Sequence, residues 1–382
     1  MIPYGRQNIN DDDIAAVVET LKSNYLTQGP KVPAFEQALC HYTNANYAFA
    51  TNSATSALHI ACMALGVSDG DIVWTSPISF VASANCALYC GASIDFIDID
   101  LNTGNISIEH LAEMLILAEQ NNTLPKVIIP VHLAGQSCDM KAIAQLCEPY
   151  NIHIIEDASH AIGGEYNGNK IGACQYSDIS IFSFHPVKII TSAEGGMALT
   201  NNTCLAEKLD RLRSHGITRD INQMKGLTDG PWYYQQVELG YNYRMTELQA
   251  ALGLSQLKNL DNFVALRNEK AAVYLEKLKK LPLNMLEVSN NSLCAYHLFI
   301  IQLQDTQKHK KVFEALRKSG IGVNLHYIPI PSQPYYQSLG YTFSEIPMAE
   351  KYYQGAISLP LFPDLTVDEQ KYIIETLGTI LK

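Results

Sequence analysis

A lysine set among apolar residues is the strongest chemical signal in this chain. In the stretch Ser177 to Gly196, SDISIFSFHPVKIITSAEGG, a β-favouring run through Ile179, Ile181 and Phe182 leads to Lys188, flanked by Val187, Ile189 and Ile190. Burial penalises an ammonium, lowers its pKa and leaves a free amine that can attack a carbonyl carbon. The plainer reading is a lysine at a strand edge whose head reaches solvent along its aliphatic stem. A second signal is NIHIIEDASHAIGG, in which Ile152, Ile154 and Ile155 run into Glu156 and Asp157, with His160 just past the strand end. Ligands of open α/β sheets bind beyond such strand ends, although an acid there can equally cap a helix. A third is Asn52-Ser53-Ala54-Thr55-Ser56, which leads into the apolar helix ALHIACMALG. Hydroxylated residues at a helix start are good caps, and the free N–H groups beside them suit a phosphate.

The elements that must position these residues follow from periodicity. A helix is expected over Asp11 to Leu21, and another restarts near Val32 with Phe35, Leu39 and Tyr42 on one face. Tyr47 to Ala50 reads as a short strand. From Asp71 strands and helices alternate: DIVWTSP a strand, ISFVASANCALYCG a helix, SIDFIDID a strand, Ser107 to Gln120 a helix, KVIIPVHL a strand. Apolar strands between amphipathic helices predict a mainly parallel sheet covered on both faces. MALTN is expected to close the sheet, followed by the basic helix AEKLDRLRSHG and a polar loop over Ile217 to Gln236. A long helix, with a break allowed, is expected from Thr246 to about Lys280. It divides a large domain, 1–245, from a smaller α/β domain, 246–382. In the latter HLFIIQL and GVNLHYIP read as strands, with helices at Lys308 to Ser319, Met348 to Gln354 and Val367 to Lys382.

Composition narrows the class. A chain of 382 residues exceeds one ordinary core, and 47% hydrophobic with 17% charged residues is a globular balance. A net charge of -11 argues against general nucleic-acid binding, while leaving room for a local pocket for a phosphorylated ligand. No apolar run reaches the roughly 20 residues of a membrane helix. With no secretory pattern in MIPYGRQNINDDD, the expected location is cytoplasmic. The nine cysteines are scattered without a CxxC pair, so neither a disulfide framework nor a metal site is expected.

NSATSALH, TSPISFVASAN, EDASHAIGG, SFHPVK, AEGG, RSHG and GYNYRMTELQAALG, in this order, resemble the DegT/DnrJ/EryC1/StrS family of sugar aminotransferases. The resemblance covers about residues 1 to 375 and implies a fold-type-I enzyme dependent on pyridoxal 5′-phosphate. By that resemblance Lys188 bonds covalently to the cofactor and shuttles the proton, and Asp157 keeps the pyridine nitrogen protonated. His160 lies near the ring's 3-oxygen, where some relatives carry glutamine. Phe80 lies against the ring face; its plainer reading is ordinary helix core. Thr55, Ser56 and Ser183 hold the phosphate. Asn242 reaches it from the neighbouring subunit, which implies a homodimer with shared active sites; otherwise Asn242 is a turn residue. The implied reaction takes the amino group of L-glutamate to C4 of a nucleotide-linked 4-keto-6-deoxy sugar, UDP-linked by the narrower match, with another nucleotide keto-sugar, 3-keto or GDP- or dTDP-linked, as the alternative.

Tyr4, His215 and His326 are further candidates for substrate contact, each histidine also explicable as structural. The donor carboxylate has no obvious clamp, since the C-terminal part holds only Arg267 and Arg317. Two other classes remain: sugar dehydratases of the same fold, which carry histidine in place of the lysine, and a non-catalytic cofactor binder. Retention of Lys188 disfavours the first. The absence of any recognisable DNA-binding element disfavours a regulatory form of the second.

Overall fold

The computed structural model describes residues 1–226, 228–342 and 346–382. Its strands are β1 (Tyr47–Thr51), β2 (Ile72–Thr75), β3 (Ser93–Phe96), β4 (Val127–Ile129), β5 (His153–Asp157), β6 (Glu165–Tyr166), β7 (Asn169–Lys170), β8 (Ile179–Ser183), β9 (Gly196–Thr200), β10 (Ile217–Thr218), β11 (Gln235–Gln236), β12 (Leu283–Met285), β13 (Ser292–Leu293), β14 (Phe299–Leu303) and β15 (Ala356–Leu359). Between them lie α1 (Asp11–Lys22), α2 (Lys31–Thr43), α3 (Ala54–Ala64), α4 (Ala82–Tyr89), α5 (Ile108–Asn121), α6 (Met140–Cys147), α7 (Thr203–Leu212), α8 (Glu247–Leu257), α9 (Leu260–Leu278), α10 (His309–Lys318), α11 (Pro334–Ser338), α12 (Pro347–Gly355) and α13 (Val367–Ile380).

Seven strands form the main sheet in the order β1-β9-β8-β5-β4-β2-β3. All run parallel except β9, which is antiparallel to both neighbours. The expected closing strand, 197–201, is thus an interior one; β1 occupies the edge. Every residue of β4, β8 and β9 is buried, as a sheet covered on both faces requires. Strand periodicity sorts the side chains. Ile155, Ile179 and Ile181 pack with α3, α4 and α7, whereas Phe182 joins Phe35 of α2 and Ala250 of α8 on the opposite face. By the same alternation Asp157 and Ser183 fall on the α3 side, and Glu156 on the other.

Glu156 is buried there with His132, Nε2 to Oε1 3.0 Å, and accepts Ser177 Oγ at 3.1 Å. This ion-pair-like contact underlies the strand end that carries Asp157, because the His132 N–H donates to the Asp157 carbonyl at 3.1 Å.

The long helix expected over 246–280 is two helices, α8 and α9, broken where Lys258 and Asn259 donate to carbonyls three residues back. Thr246 and Gln249 form a capping box at the start of α8. Glu247, fully buried, accepts the N–H groups of Lys31 (2.7 Å) and Val32 (3.1 Å) and so caps α2, whose own N-cap is a proline. Beyond it, antiparallel β12-β14-β15 with α9, α10 and α13 encloses a second apolar cluster around Tyr274, Ile301, Leu316 and Ile373. Among the described residues the stretch expected as a strand over 322–329 forms no ladder: Asn324 bridges Ser358 of β15, a four-residue run not foreseen that pairs with β14, and Gly322 N–H donates to the Ile2 carbonyl at 2.7 Å. The first residues return to this lobe: Ile2 bridges Ile321, and Leu361 N–H donates to the Tyr4 carbonyl at 3.0 Å.

Candidate active site

Lys188 stands not on a strand but in the turn that follows β8. The Phe184 carbonyl accepts Ser192 N–H and Thr191 Oγ1, both at 3.0 Å, while Lys188 N–H donates to the His185 carbonyl at 2.9 Å. Ile189 and Ile190 are buried beneath it and fix the turn. The side chain keeps part of its surface accessible, yet protein surrounds it closely enough that burial pulls the ammonium down to about 8. Among the described residues Asp157 is the charge that opposes this shift.

Asp157 ends β5 and is buried. Ser83 of α4 donates to its Oδ2 at 2.7 Å, and the Ser159 N–H to its Oδ1 at 3.1 Å. Ser79 Oγ in turn contacts Ser83 Oγ at 2.7 Å. These neutral donors fix both carboxylate oxygens in place at the strand end.

From the second lobe comes an aromatic and imidazole wall. Tyr327 Oη lies 3.0 Å from His160 Nε2, and the His160 and His297 ring centroids are 4.4 Å apart. Both histidines are 4% exposed, and the Nδ1 atom of each is buried without a partner. His326 contacts Ser358 Oγ through Nδ1 at 2.8 Å and packs at a tilt against Tyr4, with centroids 5.3 Å apart. Burial, then the charge of Lys188, pushes His326 down to about 3. Burial also holds His160 and His297 well below the usual imidazole range, with Lys188 among the charges acting on each. Lys188 is therefore the cation of a cluster whose histidines stay neutral. Tyr327 is held protonated by burial and by Asp157.

The start of α3 meets the sheet through Gly196. A Cβ there would lie 2.5 Å from Ala54 N and from the Ser53 carbonyl oxygen, so only glycine lets β9 approach so closely. Gly196 pairs with Ser183, which brings that serine toward the helix start. Ser53 caps α3, accepting Ser56 N–H at 3.1 Å; Ser56 Oγ donates to Asn52 Oδ1 at 2.6 Å, and Thr55 is half-buried. Phe80 lies in the loop before α4 rather than in its core, 60% exposed, with its ring 6.5 Å from that of Tyr327.

Structure thus gathers Lys188, Asp157, His160 and His326 into one electrostatic cluster, with Tyr4 beside His326 and Phe80 beside Tyr327. Asn242 and His215 stand apart, both exposed: Asn242 bridges Ser214, and His215 N–H donates to the Tyr241 carbonyl at 2.9 Å. Tyr327, His297 and Ser83 went unremarked in the sequence. A tyrosine beside His326 ahead of Pro329 was the available signal for the first; nothing local marks the other two. Arg267 is buried and donates to the carbonyls of Tyr296, His297 and Leu361 at 3.0–3.2 Å, which occupies it structurally.

Pyridoxal phosphate fits these groups. Helix-start N–H groups with Ser56 and Ser183 suit its phosphate, Asp157 suits its pyridinium, the Lys188 amine, lowered to about 8, suits its aldehyde, and the orphaned His160 Nδ1 leaves a polar atom for its ring substituent.

Known proteins agree. Residues 7–378 match the DegT/DnrJ/EryC1/StrS aminotransferase family. The UDP-4-amino-4,6-dideoxy-N-acetyl-beta-L-altrosamine transaminase of Campylobacter jejuni is 40% identical over 387 residues, covering 100% of this chain and 98% of its own. PseC of Helicobacter pylori, an aminotransferase of pseudaminic acid biosynthesis, superposes with a TM-score of 0.91 at 33% identity, covering 100% and 99% of the two chains. The putative sugar aminotransferase Spr1654 of Streptococcus pneumoniae, solved in its PMP form, gives 0.90 at 30%, covering 100% and 99%. The chain belongs to the DegT/DnrJ/EryC1/StrS aminotransferase family and is a pyridoxal-phosphate-dependent enzyme.

Proposed function

We propose that this enzyme moves the amino group of L-glutamate to C4 of UDP-2-acetamido-2,6-dideoxy-β-L-arabino-hex-4-ulose, giving UDP-4-amino-4,6-dideoxy-N-acetyl-β-L-altrosamine, and that it does so in the cytoplasm as a homodimer. The observation that carries the chemistry is Lys188, an amine with its pKa brought to about 8 beside Asp157 in a cluster of neutral histidines. The full-length similarity to the Campylobacter transaminase supports the sugar.

Bound pyridoxal phosphate supplies a carbon that accepts an amino group from one substrate and yields it to the next, and a ring that withdraws electrons. The protein's share is proton traffic and orientation. At pH 7.5 an amine of pKa about 8 is roughly one quarter neutral, against about 0.1% at an unperturbed lysine, so Lys188 can take a proton from the substrate carbon and return it. Asp157, fixed by Ser83 and the Ser159 N–H, would hold the pyridine nitrogen protonated. Thr55, Ser56 and Ser183 would hold the phosphate, with Asn242 contributed by the second subunit. Phe80 would lie against the ring, and Tyr4, His215 and His326 are assigned to the substrate side.

The test offers purified enzyme a panel of nucleotide-linked 4-keto and 3-keto sugars with L-glutamate and follows 2-oxoglutarate. Release with the UDP-linked 4-keto sugar, lost by more than about 10³-fold in Lys188→Ala, is expected. Turnover of a 3-keto sugar alone would reject the substrate; parental turnover by Lys188→Ala would reject the mechanism.

A further inference from the structure

We propose that Tyr327 is a positioning residue that fixes the tautomer of His160, so that Nε2 accepts from the tyrosine hydroxyl and Nδ1 carries a proton offered to the cofactor. The inference rests on the proposed reading of this cleft as the cofactor site and deepens it.

Three observations carry it. Among the described residues the Tyr327 hydroxyl has one hydrogen-bond partner, His160 Nε2 at 3.0 Å. A hydroxyl that accepted from Nε2–H would leave its own proton unused, and the lone pair of Nδ1 would be buried without a donor. The reverse arrangement satisfies the hydroxyl and leaves a single orphan, the Nδ1–H. Leaving buried polar groups unpaired is costly, so the arrangement with fewer orphans prevails. Second, protonation of both ring nitrogens is disfavoured: the ring is 4% exposed, and Lys188 already supplies a cation nearby. Third, the ring packs against two others, that of Tyr327 with centroids 6.0 Å apart and that of His297 with centroids 4.4 Å apart.

One buried N–H therefore waits for an acceptor. A phenolic oxygen is such an acceptor, and pyridoxal phosphate carries one. Because Tyr327 comes from the stretch after α10 and His160 from the turn after β5, the tautomer also links the second lobe to the main sheet.

Neutron diffraction of cofactor-free crystals exchanged into D2O reads the assignment directly. A deuteron on His160 Nδ1, with the Tyr327 deuteron directed at Nε2, is expected; a deuteron on Nε2 overturns the inference. In solution, Tyr327→Phe, checked for folding by circular dichroism, should weaken pyridoxal phosphate binding about 2-fold or more, read by absorbance titration, since both tautomers then compete and an even mixture leaves half of the rings in the binding form. Unchanged affinity in the folded variant also overturns it. If Tyr327→Phe does not fold, the neutron result on the parent protein decides alone. Failure of the parent to bind pyridoxal phosphate would instead reject the reading of the cleft, and the position of the deuteron is measured independently of that outcome.

Discussion

Replacing Lys188 with methionine should make the cofactor-free protein more stable at neutral pH. Burial lowers the lysine pKa from 10.5 to about 8 with the attraction of Asp157 already included. At 1.36 kcal/mol per pH unit, the folded state therefore disfavours the ammonium by about 3 kcal/mol. Below about pH 8 folded and unfolded chains both hold the proton, and the full penalty applies. Between about 8 and 10.5 the unfolded chain keeps the proton while the folded one releases it, so parental stability rises with pH; above 10.5 the penalty has gone. Methionine has similar length and no charge, and should stabilise by about 3 kcal/mol at pH 7 and by almost nothing near pH 10.5. At about 2.1 cal/mol/K per residue the unfolding entropy of a 382-residue chain is about 0.8 kcal/mol/K, so the gain at pH 7 corresponds to roughly 4 °C in Tm. Thermal unfolding of the two apo-proteins across this pH range is the assay. A variant that is less stable than the parent at pH 7, or whose advantage does not shrink as pH rises, would show that the amine is not desolvated and would remove the basis of the proton-transfer argument.

Asp157→Asn removes the charge that raises the Lys188 pKa, so pH-dependent labelling of that amine in apo-protein should move to lower pH by about 1 unit or more; a move to higher pH would contradict the pairing. His132→Leu leaves the buried Glu156 carboxyl with Ser177 alone and should cost about 3 kcal/mol in urea unfolding, with much of the loss recovered when Glu156→Leu is added. Glu247→Ala uncaps α2 and should cost about 1–2 kcal/mol, with faster hydrogen exchange at the Lys31 and Val32 amides; unchanged protection of those two would rule out the cap.

Local physics made much of the large lobe legible. Lys188 was visible because an ammonium between Val187 and Ile189 is costly, and Asp157 because an apolar strand ended in an acid where such sheets bind ligands. The strands β2 to β5 and their helices followed from alternation of two periods. What escaped depended on contacts between distant segments. Tyr327 and His297 acquire meaning only when the second lobe folds against His160, and Ser83 only when α4 lies over β5. The stretch 322–329 has the composition of a strand, but a strand needs a ladder, and here a single residue, Asn324, meets β15. Phe80 has helical residues after it, yet α4 begins two positions later, which leaves its ring in the open. Glu247 shows the same principle from the other side: an acid at a helix start reads as a dipole complement to its own helix, whereas here it serves another 216 residues back.

The opening residues belong to two bodies at once. Ile2 is hydrogen-bonded to the strip around Gly320 and Gly322, and Tyr4 to Leu361, while Asn10 and Asp13 are tied to α1 and, through Gln256, to α8. Arg6 and Asn8 are held by Asp364 as well, so any relative swing of the lobes must carry the Tyr4–His326 contact and residues 2–8 with the smaller one, and its torsion falls where the Asn8 carbonyl meets Gln256 and the chain enters α1.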